Sequence, residues 1–275
     1  MTITDTIPDA FPRSPAPSAR AETRLTAAQR VLAVLEVFDH EHLLLTLSEI
    51  SRRAGLSLST THRLVGELRE WGALERADDG RYAIGMRVLE LGALEPQGLR
   101  LRNVALPFLG DLHAAVAADV TLSVRDGTDV VYVEFLRSRH GAPVLTRLGG
   151  RWPLHATATG QVLLATARPE LQERVLTGPL KRFTSKTVVD TAELRRTLAE
   201  VRRVGYAVVD ESITAGAVAV AVPVRGPADR IVASVGVTIR RGSCPPESAL
   251  PALATTARAI SRGLGAPSAT GRAQV

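Results

Sequence analysis

The sequence has very little cysteine and no long hydrophobic run. Its 275 residues include one cysteine, Cys244, which has no second thiol for an intramolecular disulfide or a metal knuckle. The chain does not begin with a basic segment followed by an apolar one, and no apolar run approaches the roughly 18 residues of a membrane helix. These absences predict a protein of the reducing cytoplasm that is neither exported nor inserted into a membrane.

Motifs of common enzyme sites are also missing. We find no G-x-S-x-G elbow, no H-E-x-x-H helix and no P-loop. His40, Glu41 and His42 have the wrong spacing for a helical zinc pair and are interpreted as a solvated loop. Cys244 stands beside two prolines with no neighbour that would activate its thiol. The sequence therefore predicts no catalytic residues, no metal and no cofactor, although an enzymatic second domain is weighed as an alternative.

Positive charge is unevenly distributed along the chain. The net charge is +6, but residues 20–95 hold 10 arginines against 12 acidic residues, whereas residues 96–275 hold 23 basic residues against 14 acidic ones. Total charge therefore gives no support for nucleic-acid binding by the N-terminal segment, and any such case depends on where single arginines lie.

The N-terminal third has the pattern of a winged helix-turn-helix. Residues 1–20, rich in proline, are predicted to be a disordered tail. Capping-box spacings predict helices that begin after Thr26 and Thr46, and Ser57 is a natural N-cap for a third helix. A short hairpin is predicted from residues 73–76 and 81–84. The predicted inward faces are Ala28, Val31, Leu32, Leu35 and Phe38 in the first helix and Thr61, Leu64, Val65, Leu68 and Trp71 in the third. This domain is assigned to residues 21–85.

A second, α+β domain is predicted after a linker. Residues 86–98 are assigned to a linker helix that is broken near Pro96 and Gly98. Helices are expected at 99–117, 157–167, 190–203 and 246–264, and strands at 121–125, 130–135, 206–209, 217–224 and 230–238. Hairpins mixed with helices indicate an antiparallel sheet. The domain is assigned to residues 99–265, with a disordered tail at 266–275.

The third helix carries the candidate DNA-binding residues. In a helix-turn-helix, the second helix of the pair presents residues near its N-terminus to the major groove. The predicted exposed face holds groups suited to phosphates and base edges, namely Ser57, Ser59, Thr60, His62 and Arg63. A solvated helix with an incidental Ser/Thr-rich cap is the alternative.

Several blocks of the sequence resemble regulators of the IclR family. They are LTLSEISRRAGLSLSTTHRLVGELREWGALERADDGRYAIGMRVLELG, LHATATGQVLLA, RFTSKTVVDTAELRRTLAEVRRVGYAV and AVPV, in the order of the family. The resemblance covers about residues 24–265. It implies a GAF-like effector domain, a homodimer or homotetramer, and recognition of double-stranded operator DNA by paired winged helices. It adds Arg76 and Arg81 as phosphate contacts of the wing, whereas Leu58 stands where many members have a basic residue.

The resemblance also implies a cavity for a small organic effector, an organic or aromatic acid, beside the helix that contains Gly160. Free N–H groups at a helix start attract an anion, although a structural Gly160 in an ordinary capped helix is the alternative. The matching residues are Ala158, Thr159, Gly160, Val209, Ala217, Ala219, Gly236 and Thr238. Gln161, Ala219 and Val209 depart from the common lysine, cysteine and acid, which predicts a less polar cavity. Asp210 and Glu211 match the family's acidic pair in part and are expected to orient the adjoining loop; a solvated strand end is the alternative.

The sequence therefore predicts a DNA-binding transcriptional regulator whose operator binding is modulated by a small organic effector. The alternative is a constitutive DNA-binding regulator whose C-terminal domain serves only for oligomerisation.

Overall fold

The computed structural model describes residues 25–269 except His40, Glu95, His140, Pro143 and Leu145. The predicted tail at 1–20 and the last six residues of the predicted tail at 266–275 lie outside the described residues. The chain divides into an N-terminal unit that ends at Leu99 and a C-terminal unit that begins at Arg100.

The N-terminal unit contains three helices, a hairpin and a further short helix. The elements are α1 (Ala27–Glu36), α2 (Leu47–Ala54), α3 (Leu58–Trp71), β1 (Leu74–Arg76), β2 (Tyr82–Ile84) and α4 (Met86–Gly92). Both predicted capping boxes are present, at Thr26 with Gln29 and at Thr46 with Glu49. Gly55 ends α2 in the left-handed conformation, with φ of 66°, and Ser57 caps α3. These local predictions are confirmed.

Two predicted helix faces are partly wrong. Trp71 does not lie inward: it is 51% exposed, and the Arg87 guanidinium stacks 5.6 Å from its ring centroid. In α1, Ala28 and Leu32 are exposed, whereas Val34 is fully buried, so the buried stripe is rotated from the predicted one. The positions of α2 and α3 decide which side chains of α1 are buried. Periodicity within one helix does not specify those positions.

The predicted break lies just before Pro96, because α4 ends at Gly92 and a separate helix follows, but Gly98 does not break that second helix. A new helix, α5 (Pro96–Val116), begins at that proline and contains Gly98. Proline is tolerated in the first turn of a helix because its missing N–H would have no intrahelical acceptor there. The residue therefore starts a helix and does not end one.

The C-terminal unit is built on a six-stranded antiparallel sheet. Its strands are β3 (Asp119–Asp126), β4 (Asp129–Leu136), β5 (Arg151–Pro153), β6 (Ala207–Asp210), β7 (Ala217–Arg225) and β8 (Ile231–Arg240), in the order β5-β4-β3-β8-β7-β6. The further helices are α6 (Ala158–Ala165), α7 (Pro169–Thr177), α8 (Thr191–Val204) and α9 (Leu250–Gly263). The α+β prediction is confirmed, but α7 and β5 were not predicted.

The two faces of this sheet carry separate cores. One face packs against α5 and α9, with Leu109, Val237 and Leu253 fully buried. The other packs against α6, α7 and α8, with Leu164 and Leu194 fully buried. Strand alternation produces both cores from the same strands because successive side chains point to opposite faces.

The predicted C-terminal tail begins too early. Ala266 is fully buried, and Pro267–Ala269 form a turn of 3-10 helix. Asp229 accepts hydrogen bonds from the backbone N–H and the hydroxyl of Ser268, at 3.1 and 2.5 Å. The packed domain therefore extends at least to residue 269.

Candidate functional site

Polar side chains crowd the first turn of α3. The Ser57 hydroxyl accepts the Thr60 backbone N–H at 3.3 Å and donates to the Thr60 hydroxyl at 2.9 Å. Ser59 is exposed, and its hydroxyl lies 3.2 Å from that of Ser57. These contacts hold the helix start in place while leaving the Ser59 and Thr60 side chains accessible. Leu58 is 52% exposed on the same turn and offers an apolar surface.

His62 and Arg63 extend the exposed face by one more turn. The Arg63 side chain is 61% exposed and forms an ion pair with Glu67, one helical turn further on. An exposed pair of this kind is worth about 0–1 kcal/mol. Its arginine is therefore available to a stronger partner at little cost to folding.

The hairpin holds two arginines in different environments. The Arg76 guanidinium lies 5.9 Å from the Tyr82 ring centroid, and its Nε donates to the Gly80 carbonyl at 3.4 Å. Arg81 donates to Asp79 at 2.7 Å, and this contact lowers the pKa of the Asp79 carboxyl. The α3 face and the hairpin both belong to the N-terminal unit, so all seven predicted DNA-binding residues lie in it.

A cavity lies in the C-terminal unit between the sheet and the start of α6. The cavity volume, taken as the space that the centre of a water molecule can occupy, is about 60 Å³, which is enough for several waters. Seven of the eight predicted effector residues line it, namely Ala158, Thr159, Val209, Ala217, Ala219, Gly236 and Thr238.

Strand register places the small residues of the cavity floor. Val209 pairs with Ala219, and Ala219 pairs with Thr238 on the next strand. One step along the sheet, Gly236 pairs with Thr121. A Cβ at Gly236 would come within 2.9 Å of side-chain atoms of Thr121 and Thr159, so glycine is required for this packing. Small residues in neighbouring strands leave the space that larger ones would fill.

Gly160 is the predicted effector residue that does not line the cavity. Its N–H donates to the Thr157 hydroxyl at 3.0 Å, so the cap already uses this donor. A Cβ there would approach the Leu154 carbonyl oxygen to 2.4 Å. Gly160 is therefore required for close packing, and its N–H is already used within the helix cap.

The cavity lining combines apolar side chains with hydroxyl groups and carries no charged side chain among the described residues. Tyr132 is the one titratable group among the described lining residues. Burial raises the pKa of its phenol, an effect that the nearby hydroxyls of Thr159, Thr157 and Thr146 partly offset. The Thr159 hydroxyl is buried and makes no hydrogen bond of normal geometry among the described residues. A ligand group that donates to this oxygen or accepts from it would satisfy a buried polar atom.

Several lining residues were not predicted from the sequence. They are Thr121, Tyr132, Val144, Thr146, Trp152, Ala156, Thr157, Ser212, Ile213, Thr214 and Val220. Thr121 lies in a predicted strand, on the side that faces α6. A polar residue at an inward position of a strand is a sequence signal that could have identified this cavity residue. The turn residues 212–214 become neighbours of the cavity only through tertiary folding.

Neither His42 nor Cys244 lines the cavity. His40 is outside the described residues, and His42 Nδ1 contacts Asp39 at 2.7 Å. Cys244 is exposed and is not a lining residue of the cavity. Among the helices that the structure describes, none is long and apolar enough to cross a membrane.

Both parts of the chain match models of one protein family. Residues 27–78 match the IclR helix-turn-helix domain, and residues 96–262 match the C-terminal domain of the bacterial transcriptional regulator IclR. The second match alone spans more than half of the chain.

Characterised relatives include the HTH-type transcriptional regulator XynR of Escherichia coli. It is 31% identical over 216 residues, which cover 78% of this chain and 86% of the relative. The glycerol operon regulatory protein of Streptomyces coelicolor is 30% identical, with 88% and 97% covered. These relatives are transcriptional regulators, which confirms the prediction that the chain is not an enzyme.

Solved structures resemble this chain over most of its length. An IclR homolog from Microbacterium hydrocarbonoxydans in complex with 4-hydroxybenzoate is 37% identical, with a TM-score of 0.82, and the match covers 87% of this chain and 99% of that one. The IclR of Thermotoga maritima is 27% identical, with a TM-score of 0.73 and coverage of 86% and 98%.

Proposed function

The chain belongs to the IclR family of bacterial transcriptional regulators, and from this premise we propose how its two units bind DNA and an effector. The N-terminal unit contacts operator DNA through the exposed start of α3, where Ser59, Thr60, His62 and Arg63 lie side by side. Ser57 caps α3, and the free backbone N–H groups at the start of this helix favour a phosphate. Arg76 and Arg81 contact phosphates from the hairpin.

The effector that we propose is a small organic acid with an aromatic or apolar body, bound in the cavity of the C-terminal unit. The observation that carries this proposal is a cavity with small residues on its floor and hydroxyl groups on its walls. A homolog of the same architecture binds 4-hydroxybenzoate, a molecule with an aromatic body, a hydroxyl and a carboxylate.

The orientation of the effector follows from the chemistry of the lining. An aromatic body fits against Val209, Ala217 and Ala219. Because no charged side chain lines the cavity in the described chain, a carboxylate needs hydroxyl and backbone N–H donors. The start of α6 at Ala158 and Thr159 supplies the helix N-terminus for this purpose.

We further propose that the regulator is a homodimer or homotetramer in the cytoplasm. The short helix α4 has no buried residue in this single chain, and Met86, Leu89 and Leu91 are 61%, 66% and 47% exposed. Such a concentration of exposed apolar side chains favours burial against a second copy.

Titrations of the protein with effector, with operator DNA and with both test the two binding sites and the coupling between them. The operator is selected from random duplexes, and 4-hydroxybenzoate is the first effector probe. Effector binding should change operator affinity by about five- to 150-fold, the usual range of allosteric coupling, and operator should change effector affinity by the same factor.

Ala219→Phe is the decisive variant, because a phenyl ring at that position fills the cavity. It should abolish effector binding while operator binding without effector survives. Val232→Phe, which introduces the same phenyl ring at a position 39% exposed and outside the cavity lining, is the matched control. Unchanged effector affinity in Ala219→Phe would refute the site. Equal operator affinity with and without a bound effector would instead favour a constitutive regulator.

A further inference from the structure

The turn between β6 and β7 forms one wall of the cavity. It comprises residues 211–216, and Ser212, Ile213 and Thr214 line the cavity directly. At its base, the Glu211 N–H donates to the Ala217 carbonyl at 2.9 Å. The conformation of this turn therefore decides the shape of the space that a ligand meets.

Glu211 connects the two ends of the turn. Its φ of 51° lies in the left-handed region, which residues other than glycine adopt rarely. Its carboxylate Oε1 accepts the Gly216 N–H at 2.6 Å. The carboxylate thus spans the turn that its own backbone begins, so a change at this side chain acts on the whole turn.

Two cations from other segments meet the same acidic pair. Lys186 contacts both Asp210 Oδ2, at 2.6 Å, and Glu211 Oε2. Arg241 lies 3.0 Å from Glu211 Oε2 and 3.2 Å from Asp210 Oδ1, and its backbone N–H donates to the Gly216 carbonyl at 2.8 Å. Hydrogen bonds from Lys186 and the Gly216 N–H lower the pKa of Glu211.

Neutral hydrogen bonds hold the turn as well. The Thr184 hydroxyl donates to the Glu211 carbonyl at 2.6 Å, and the Thr187 hydroxyl donates to the Ser212 carbonyl at 2.6 Å. Thr187 and Ser212 are buried, whereas the Lys186 and Arg241 side chains are 37% and 53% exposed. Dissolved salt can therefore weaken the ionic contacts of the turn by screening them, whereas the buried hydrogen bonds are affected much less.

We propose that Glu211, held by Lys186 and Arg241, is the positioning residue of an ionic clamp that keeps the 211–216 turn in place as a preformed cavity wall. A preformed wall lowers the ordering cost of binding, so the clamp contributes to effector affinity without touching the effector. The role in binding rests on the proposed effector site, whereas the clamp itself does not.

Hydrogen–deuterium exchange of the full chain without any ligand tests the clamp. Glu211→Gln keeps an acceptor for the Gly216 N–H but removes the charge, and Lys186→Met removes the cation from a different segment. In both variants, amides of residues 211–216 should exchange about two- to fivefold faster, as expected for loss of partly exposed ion pairs. Exchange in β8 should not change.

Glu200→Gln is the matched control, because it makes the same substitution in an exposed ion pair with Arg203 that lies outside the clamp. In the wild type, about 1 M NaCl should also speed exchange of the turn, and this response should shrink in Glu211→Gln.

Wild-type exchange of the turn in both clamp variants would overturn the proposal. Faster exchange throughout the domain, β8 included, would overturn it too, because it would show general destabilisation and no local clamp. This experiment uses no effector, so its result does not depend on the proposed effector site. Conversely, wild-type exchange of the turn would refute the clamp but not the effector site.

Discussion

Arg63 and Arg81 are exposed arginines of the N-terminal unit with different neighbours. Arg63 lies on the α3 face and is tied only to Glu67, whereas Arg81 lies on the hairpin beside Asp79. Arg63→Ala should weaken binding to the selected operator by roughly 1–3 kcal/mol, with a smaller effect on random DNA, if the side chain contacts a base edge. Fluorescence anisotropy with both duplexes measures the difference.

Arg81→Ala should weaken binding to all sequences alike and reduce the salt dependence by about one phosphate contact. Arg195→Ala, which breaks an exposed pair with Glu173 in the C-terminal unit, controls for the loss of an arginine. Full operator affinity in Arg63→Ala would show that α3 is not the element that recognises the sequence.

Two helical glycines should respond to alanine in opposite directions. At Gly160, a Cβ would meet the Leu154 carbonyl at 2.4 Å and the Thr157 hydroxyl at 2.6 Å, so Gly160→Ala should lower the free energy of unfolding by about 1–3 kcal/mol. Gly110 in α5 has open space around its Cβ position, and Gly110→Ala should raise that free energy by about 0.5–1 kcal/mol. Urea unfolding compares the two variants, and equal effects would contradict this assignment.

These residues also mark a limit of sequence-based prediction. Gly160 occurs in a block that suggested both a ligand contact and a structural glycine, and only the approach of the Leu154 carbonyl distinguishes the two. Trp71 has the helical spacing of a core residue but stacks on Arg87 at the surface. Leu154 and Arg87 belong to different elements from Gly160 and Trp71, so spacing within one element does not reveal these two contacts.

At the scale of elements, the junction before α6 contains a buried histidine. His155 lies in the 3-10 turn Leu154–Ala156, is 2% exposed, and its Nε2 donates to the Lys181 carbonyl at 3.0 Å. Burial lowers the pKa of His155 below its usual value of 6.5, and the contact with Lys181 only partly opposes this shift. The unfolded chain therefore binds the proton more tightly than the folded one.

The free energy of unfolding should consequently fall as the pH drops below about 6.5. His155→Gln keeps a donor for the Lys181 carbonyl but does not titrate, so the wild type should lose more stability than this variant between about pH 7 and pH 5. Comparing the two proteins cancels the contributions of other groups, including Asp119, whose pKa is raised by burial. Parallel pH profiles in thermal unfolding would be inconsistent with a neutral buried histidine.

Elements with end signals were predicted well, whereas β5 and α7, which lack such signals, were missed. Helices α2 and α3 begin at capping residues and end at glycines in the left-handed conformation, so their bounds follow from local chemistry. β5 has three residues and pairs with β4 at the edge of the sheet, where partner and register come from distant residues. α7 begins directly at Pro169, without a side-chain hydrogen bond at its cap.

At the scale of the whole molecule, the proposed dimer constrains the operator. A two-fold symmetric regulator requires half-sites on one face of the duplex, about one helical turn or a multiple apart. Inserting about five base pairs between the half-sites should therefore abolish tight binding, because it rotates one half-site by half a turn. Anisotropy titrations, with light scattering to count protomers per duplex, measure this effect. Binding of one protomer, indifferent to the insertion, would exclude the dimer.

Local chemistry alone predicted most of the elements in their order and the two-part architecture. Capping boxes, glycine stops and alternating strands act over a few residues, so they can be recognised without the fold. The blocks that resemble the family then predicted seven residues of the cavity lining, because such blocks preserve positions within a fold.

Tertiary structure alone decided what surrounds those seven residues. The strand order β4-β3-β8-β7-β6 brings Thr121, Tyr132 and the 211–216 turn to one cavity. The clamp joins Lys186, Glu211 and Arg241 across 55 residues of sequence. These neighbours are set by strand order and register, which depend on the packing of the whole domain and not on any short segment.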